Sequence, residues 1–338
     1  MISRVASLLA GLSCLFVAST GTSQTGADVS QVLNKYAGFS ASDHKKIERG
    51  EVVAHSLSAD WDEVALAAST VVRVPVHFYL ESFRAIESFK KSAEVQQLGR
   101  FSDPPTVADL RPLTMDADDL AELRKCRPGE CDLKVTDDAI ARMSGRTDVE
   151  TAFKEWLADY AARYAREGNA ALAVYHHEKT PRPAADSLRH IVERFPFLRD
   201  TWPALGSAIG GFTGRLPPGF EQFIYWSKEK PPGNVVINLT HVVIQPESAG
   251  TAVVATKQIY ASRYMHASLG ISVLIDRSTA EGPRTLVIYM NRTRVDLFDG
   301  LGRMIRPVVR SRARSGTERL LGRLRVRLEQ EWAARSQK

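Results

Sequence analysis

Between Phe220 and Asp296 five apolar segments rich in β-branched residues follow one another: FEQFIYWSK, NVVINLTHVVIQ, TAVVATKQIYASRY, ASLGISVLID and RTLVIYMNRTRVD. The links KPPG, PESAG and STAEGP are short and turn-prone. Such spacing predicts an antiparallel meander. The chain then changes character. Ile305, Val309, Ala313, Leu320, Leu324 and Leu328 recur at steps of four or seven, with arginines filling the other faces, which predicts one long amphipathic helix. Pro307 must lie in its first turn or kink it.

Upstream, Ser42 or Asp43 is placed to cap a brief helix ending at Gly50. GEVVAHSL and EVALAASTVVRV read as strands, and Pro75 opens a helix in which Val76, Tyr79, Leu80, Phe83 and Ile86 keep helical spacing. From about Ser102 to Pro218 helical signals dominate. Asp116 opens DADDLAELRKC, and Thr147 with Glu150 forms a capping box. Val149, Phe153, Trp156, Leu157, Tyr160 and Tyr164 then line one face up to Gly168. Another helix is expected from Ala184 to Phe195, and GSAIGGFTGRLPPG reads as a boundary.

The first residues combine Arg4, a run of 14 mostly apolar residues from Val5 to Ala18, and a small, polar finish. This is the layout of a secretory signal peptide, with cleavage expected between Ser19 and Ala27. The run is shorter than the roughly 20 residues of a membrane-spanning helix. Cys14 invites a lipoprotein reading, but Gly11 stands where such a signal wants Leu. The expectation is a periplasmic or secreted protein that keeps two of its three cysteines.

Those two lie in CRPGEC, Cys126 to Cys131. The spacing meets neither the haem-attachment nor the thioredoxin signature, and zinc would need further ligands such as His176 and His177. A disulfide closed over a Pro128-Gly129 turn is the leading expectation. The net charge of +6 is concentrated at one end, where Gly300 to Lys338 holds ten Arg and one Lys against three Glu. Outside the cell such a surface meets anionic lipid, polysaccharide or another protein rather than nucleic acid, or is simply a solvated helix face.

Catalytic motifs are wanting. GSAIGG has the wrong spacing for a nucleophile elbow, no His-Glu-x-x-His or Walker loop occurs, and HHEK sets two histidines side by side. Neither cofactor nor metal is expected. Candidate ligand contacts come from the strands. His241 shares a face with Val235, Ile237, Leu239 and Val243, as a core histidine or as a polar group meeting a ligand. Tyr260 and Tyr264, near Arg263 and His266, suit either a pocket for an amphipathic ligand or edge packing. Arg292 and Arg294 leave one face beside Asp296, to hold an anionic headgroup or to join a salt-bridged ladder. Tyr225 and Trp226 read as cavity-wall or core groups.

The order of elements resembles the helix-grip fold of START-like and plant-allergen-like lipid-binding domains. The matching residues are GEVV at 50 to 53, the VVRVP turn at 71 to 75, the strand run from Phe220 to Asp296, and the terminal helix. The whole chain is also similar to a group of exported bacterial proteins marked by the paired-cysteine turn, YWSK and NRTRVD, which brings no catalytic residue with it. The first resemblance implies an α+β fold, with a curved antiparallel sheet wrapped around a long C-terminal amphipathic helix. The domain would run over 28–101 and 219–338 after a signal at 1–23, with a helical insert at 102–218. It further implies non-catalytic binding of an apolar or amphipathic, lipid-like molecule; the charge of the terminal helix separately leads to the expectation of peripheral contact with an anionic membrane. The alternatives are an envelope interaction protein without an internal pocket, and a hydrolase or isomerase using His241, Tyr260 and Asp296.

Overall fold

The computed structural model describes residues 34–231, 233–248, 250–296 and 304–337. The signal-like leader with Cys14 lies outside the described residues. The segments read as a meander are β6 (Glu221–Glu229), β7 (Val236–Ser248), β8 (Thr251–Ala261), β9 (Met265–Asp276) and β10 (Thr285–Val295), each antiparallel to the next. β10 continues onto β2 (Glu63–Val72), and β2 onto β1 (Val53–Ser56). The opposite edge is β3 (Val95–Arg100), paired with β6. The result is an eight-stranded curved antiparallel sheet in the order β1-β2-β10-β9-β8-β7-β6-β3.

The sheet is covered on both faces. Between β2 and β3 the chain forms α1's successors in this layer, α2 (Val76–Arg84) and α3 (Ile86–Phe89), where α1 denotes the short N-terminal helix Ala41–Glu48. Phe78, Tyr79 and Phe83 of α2 pack with Tyr225, Val242, Val254 and Val287 from alternate positions of the strands. The C-terminal helix, Arg306–Ser336, lies on this same face and contributes Leu321 and Leu328 to that core.

The chain between β3 and β6 covers the other face. Its helices are α4 (Ala117–Lys125), α5 (Asp137–Met143), α6 (Val149–Glu167), α7 (Ala184–Glu193), α8 (Pro196–Asp200) and α9 (Pro203–Gly210); the C-terminal helix is therefore α10. A two-stranded ribbon, β4 (Val174–Tyr175) with β5 (Arg182–Pro183), interrupts them. Trp156, Tyr160 and Tyr164 of α6 and Leu188 and Ile191 of α7 meet Trp226, Leu239, Leu269, Ile271 and Ile288 of the sheet. The α+β class and the long terminal helix are as the sequence predicts.

Several details depart from the expected ones. The cap of α6 is Asp148, which accepts from the Thr151 amide, rather than Thr147. Gly206 to Gly210 belongs to α9, so the expected boundary begins only after it. Gly168 ends α6 at φ 65°, and a Cβ there would lie 2.0 Å from the Phe212 carbonyl oxygen, so only glycine fits. In α10 the buried stripe passes through Leu321, whereas Ile305 and Leu320 are 47 % and 45 % exposed. Cys126 and Cys131 form the disulfide, with Cα atoms 4.8 Å apart and Gly129 at φ 82° in the turn. In the chain-entropy picture so short a closed loop contributes about 2 kcal/mol.

Candidate functional site

Under α10 the two layers do not close completely. A cavity of about 500 Å³ remains between the sheet, α2, α3 and the middle of α10, within the range of small-molecule sites. Its walls are the rings and branched chains of Tyr79, Phe83, Ile86, Phe89, Leu321 and Leu324. Its floor is the sheet face carrying Tyr225, Thr256, Ser272, Val287 and Tyr289.

The hollow follows from side-chain size. On β9 the residues facing α10 are Ser268, Gly270 and Ser272, while Leu269, Ile271 and Val273 point to the opposite core. Period-two alternation therefore puts little volume on one face and much on the other. Gly270 is opposite both Thr256 and Asn291. A Cβ at Gly270 would meet Thr256 Oγ1 at 2.6 Å and the Tyr289 ring and hydroxyl at 3.2 Å. The missing side chain thus leaves room for the Tyr289 ring on the sheet.

Polar groups sit at fixed points of this apolar space. At the rim Lys90 Nζ donates to Glu229 Oε1 at 2.7 Å and lies 5.4 Å from the centre of the Tyr225 ring. Ser227 Oγ donates to the same carboxylate oxygen at 2.7 Å. Burial disfavours the Lys90 ammonium, but Tyr225 and Glu229 outweigh it and hold its pKa above the ordinary lysine value. Burial likewise works against the Glu229 carboxylate, which Lys90 and Ser227 nevertheless keep below the usual range. Burial pushes the Tyr289 phenol up to about 12 and raises Tyr79 as well, so both are neutral hydroxyls at physiological pH. Lys91, Glu94, Arg323 and Arg327 complete the rim. Such a site offers dispersion contacts within, single hydrogen bonds at the floor and charge at the mouth.

Of the sequence-derived candidates, Tyr225 lines this cavity. Trp226, the next residue, points to the other face and donates to the Asp109 carbonyl. His241 is buried there too, bonded to the Tyr164 hydroxyl and to Gln222 Oε1 at 2.9 Å each. Burial, then nearby Lys257, hold His241 neutral. A smaller space of about 340 Å³ reaches it from the side of Phe101 and Phe212. Tyr260 reaches that face through a bulge in the β7-β8 pairing, which sets Ile259 and Tyr260 in one core. Its hydroxyl donates to the Lys134 carbonyl.

Tyr264 takes φ 66° in the β8-β9 turn, where its oxygen accepts from the Asn234 amide. Arg292 and Arg294 do share a face and are salt-bridged, to Glu63 and Asp62 respectively. Asp296 pairs with the Lys134 ammonium at 2.7 Å. Tyr260 and Asp296 thus meet the same residue, Lys134, one at its carbonyl and the other at its ammonium, whereas His241 is bonded to Tyr164 and Gln222, and no hydrogen bond joins the three to one another among the described residues.

The paired histidines point to different partners, His176 to Asp137 and His177 to Lys134. Glu122 lies close to both cysteine sulfurs, but sulfurs engaged in a disulfide are not thiolate ligands. The residues missed in sequence are Tyr79, Lys90, Thr256, Ser272, Glu229 and Tyr289. The small residues Ser268, Gly270 and Ser272 in β9 are the one sequence signal for a hollow on this face, and nothing local marks Tyr79, Lys90 or Glu229. Neither a protein-family model nor a curated protein matches the chain.

Proposed function

We propose that this protein binds and carries an apolar or amphipathic, lipid-like small molecule in the cavity under α10, without chemistry on it. The observation that carries this reading is the cavity of about 500 Å³, with carbon-lined walls, isolated hydroxyls and a charged rim. The order β2, α2, α3, β3, meander, α10 supports placing it with START-like helix-grip domains. The disulfide supports an oxidising compartment, in keeping with a secreted or periplasmic carrier. Burying roughly 400 Å² of ligand hydrocarbon contributes about 10 kcal/mol. Association costs at least about 4 kcal/mol, which leaves an affinity in the tens of micromolar before the polar rim adds to it.

A naturally fluorescent polyunsaturated fatty acid, titrated against the protein, tests the assignment. Ser272→Phe fills the floor from a residue that makes no side-chain hydrogen bond among the described residues. It is expected to weaken probe binding at least tenfold while circular dichroism stays unchanged. Unaltered affinity in that variant would place the probe elsewhere and reject the cavity as the site.

A further inference from the structure

The outward face of α10 carries Val308 and Val326 at its ends, with Arg312 and Arg319 between them. Val308 is 49 % exposed and Val326 44 %, and Met304, just before the helix, is 79 % exposed. Arg312 and Arg319 fall on the same side, because 304, 308, 312, 319 and 326 are separated by four or seven residues. Both are exposed, and neither makes a side-chain hydrogen bond or ion pair among the described residues. Their neighbours differ: Arg314, Arg323 and Arg335 are paired with Glu318, Glu94 and Glu81. At the start of the helix Arg306 and Arg310 hold the carbonyls of Asp60 and Leu57, and the loop so anchored carries Trp61, 51 % exposed.

We propose that this face of α10 docks on an anionic lipid bilayer. The apolar side chains enter the headgroup boundary, while Arg312 and Arg319 meet lipid phosphates with their stems lying along the apolar surface. Charge complementarity supports this occupant, since Gly300 to Lys338 holds ten Arg and one Lys against three Glu. So does extent: from Val308 to Val326 this face runs about 27 Å along the helix, suited to a flat surface. Leu320, 45 % exposed, and Arg323 also belong to the cavity rim. The docked helix therefore brings the mouth to the membrane, and cargo passes between bilayer and cavity without crossing water. Only this last step rests on the carrier reading.

Co-sedimentation of the full mature chain with vesicles tests it, comparing phosphatidylcholine alone with an equal mixture of phosphatidylcholine and phosphatidylglycerol. Binding is expected to the mixture only and to fall as salt is added. Arg312→Glu with Arg319→Glu is expected to weaken it by more than about tenfold, and Val308→Ser to weaken it with no change in charge. Leu321 and Leu328 remain in place in these variants, so thermal unfolding serves as the folding control. Equal binding to both vesicle types, or undiminished binding by the double variant, overturns the proposal. Binding to an immobilised acidic polypeptide but not to vesicles overturns it in favour of a protein partner. Fatty-acid titration of the same variants separates the two readings: retained probe binding with lost vesicle binding leaves the cavity intact.

Discussion

Gly270 shows how one absent side chain shapes a cavity. Replacing it with alanine sets a Cβ against Thr256 Oγ1 and the Tyr289 ring. The expected cost is about 1–3 kcal/mol, as for other overpacked interiors, with Tyr289 displaced toward the cavity and weaker probe binding. Denaturation and titration of Gly270→Ala check both, and a variant as stable and as avid as the parent would contradict the packing argument. Lys257 raises a different question. It is 1 % exposed and donates to Asn169 Oδ1 and the Ile209 carbonyl, with no carboxylate among these partners. Burial lowers its pKa to about 7, against about 10.4 in an unfolded chain. Between those values the unfolded state holds a proton that the folded state has released, so folding stability rises with pH across that window; below pH 7 both states hold it and the burial penalty is complete. Relative to Lys257→Met, the parent should therefore gain up to about 4 kcal/mol from pH 7 to pH 10. Urea denaturation of both proteins at pH 6, 8 and 10 measures this, and a pH-independent difference would show that the ammonium is not desolvated as described.

At the scale of elements α10 is fastened at a few points. Leu328 is fully buried among Val76, Phe78 and their neighbours, and the Trp332 ring packs 5.1 Å from that of Phe78. Leu328→Ala is expected to cost about 2–5 kcal/mol, read as a lowered unfolding midpoint; a loss under 0.5 kcal/mol would mean that α10 is not part of the cooperative core. The five-strand meander and the terminal helix were legible because alternation and helical spacing run without interruption over long segments. The phase of the helix was less so, since LeuLeu at 320 and 321 offers two adjacent apolar choices and only packing against β1 and β2 selects Leu321. β3 was not read from VQQLGR, a short edge strand with partly exposed residues and no clean alternation. Tyr225 was legible as a wall group. His241, Tyr260 and Arg292 drew attention as polar groups on apolar strands, yet each is satisfied by a partner distant in sequence, which no local pattern encodes.

In the whole molecule one sheet carries two dissimilar layers. The chain between β3 and β6 packs its face densely with Trp156, Tyr160, Tyr164 and Tyr260, whereas α2, α3 and α10 leave a cavity on the other. A carrier needs this asymmetry, one side rigid and one side able to receive a guest, with the receiving side next to the arginine-bearing face of α10. The most direct measurement is native mass spectrometry of the protein purified without detergent from its native cells, followed by extraction and identification of whatever is released. A one-to-one apolar or amphipathic adduct, lost in Ser272→Phe, is the expected result. A bare protein mass that does not shift when lipids are added would contradict the account.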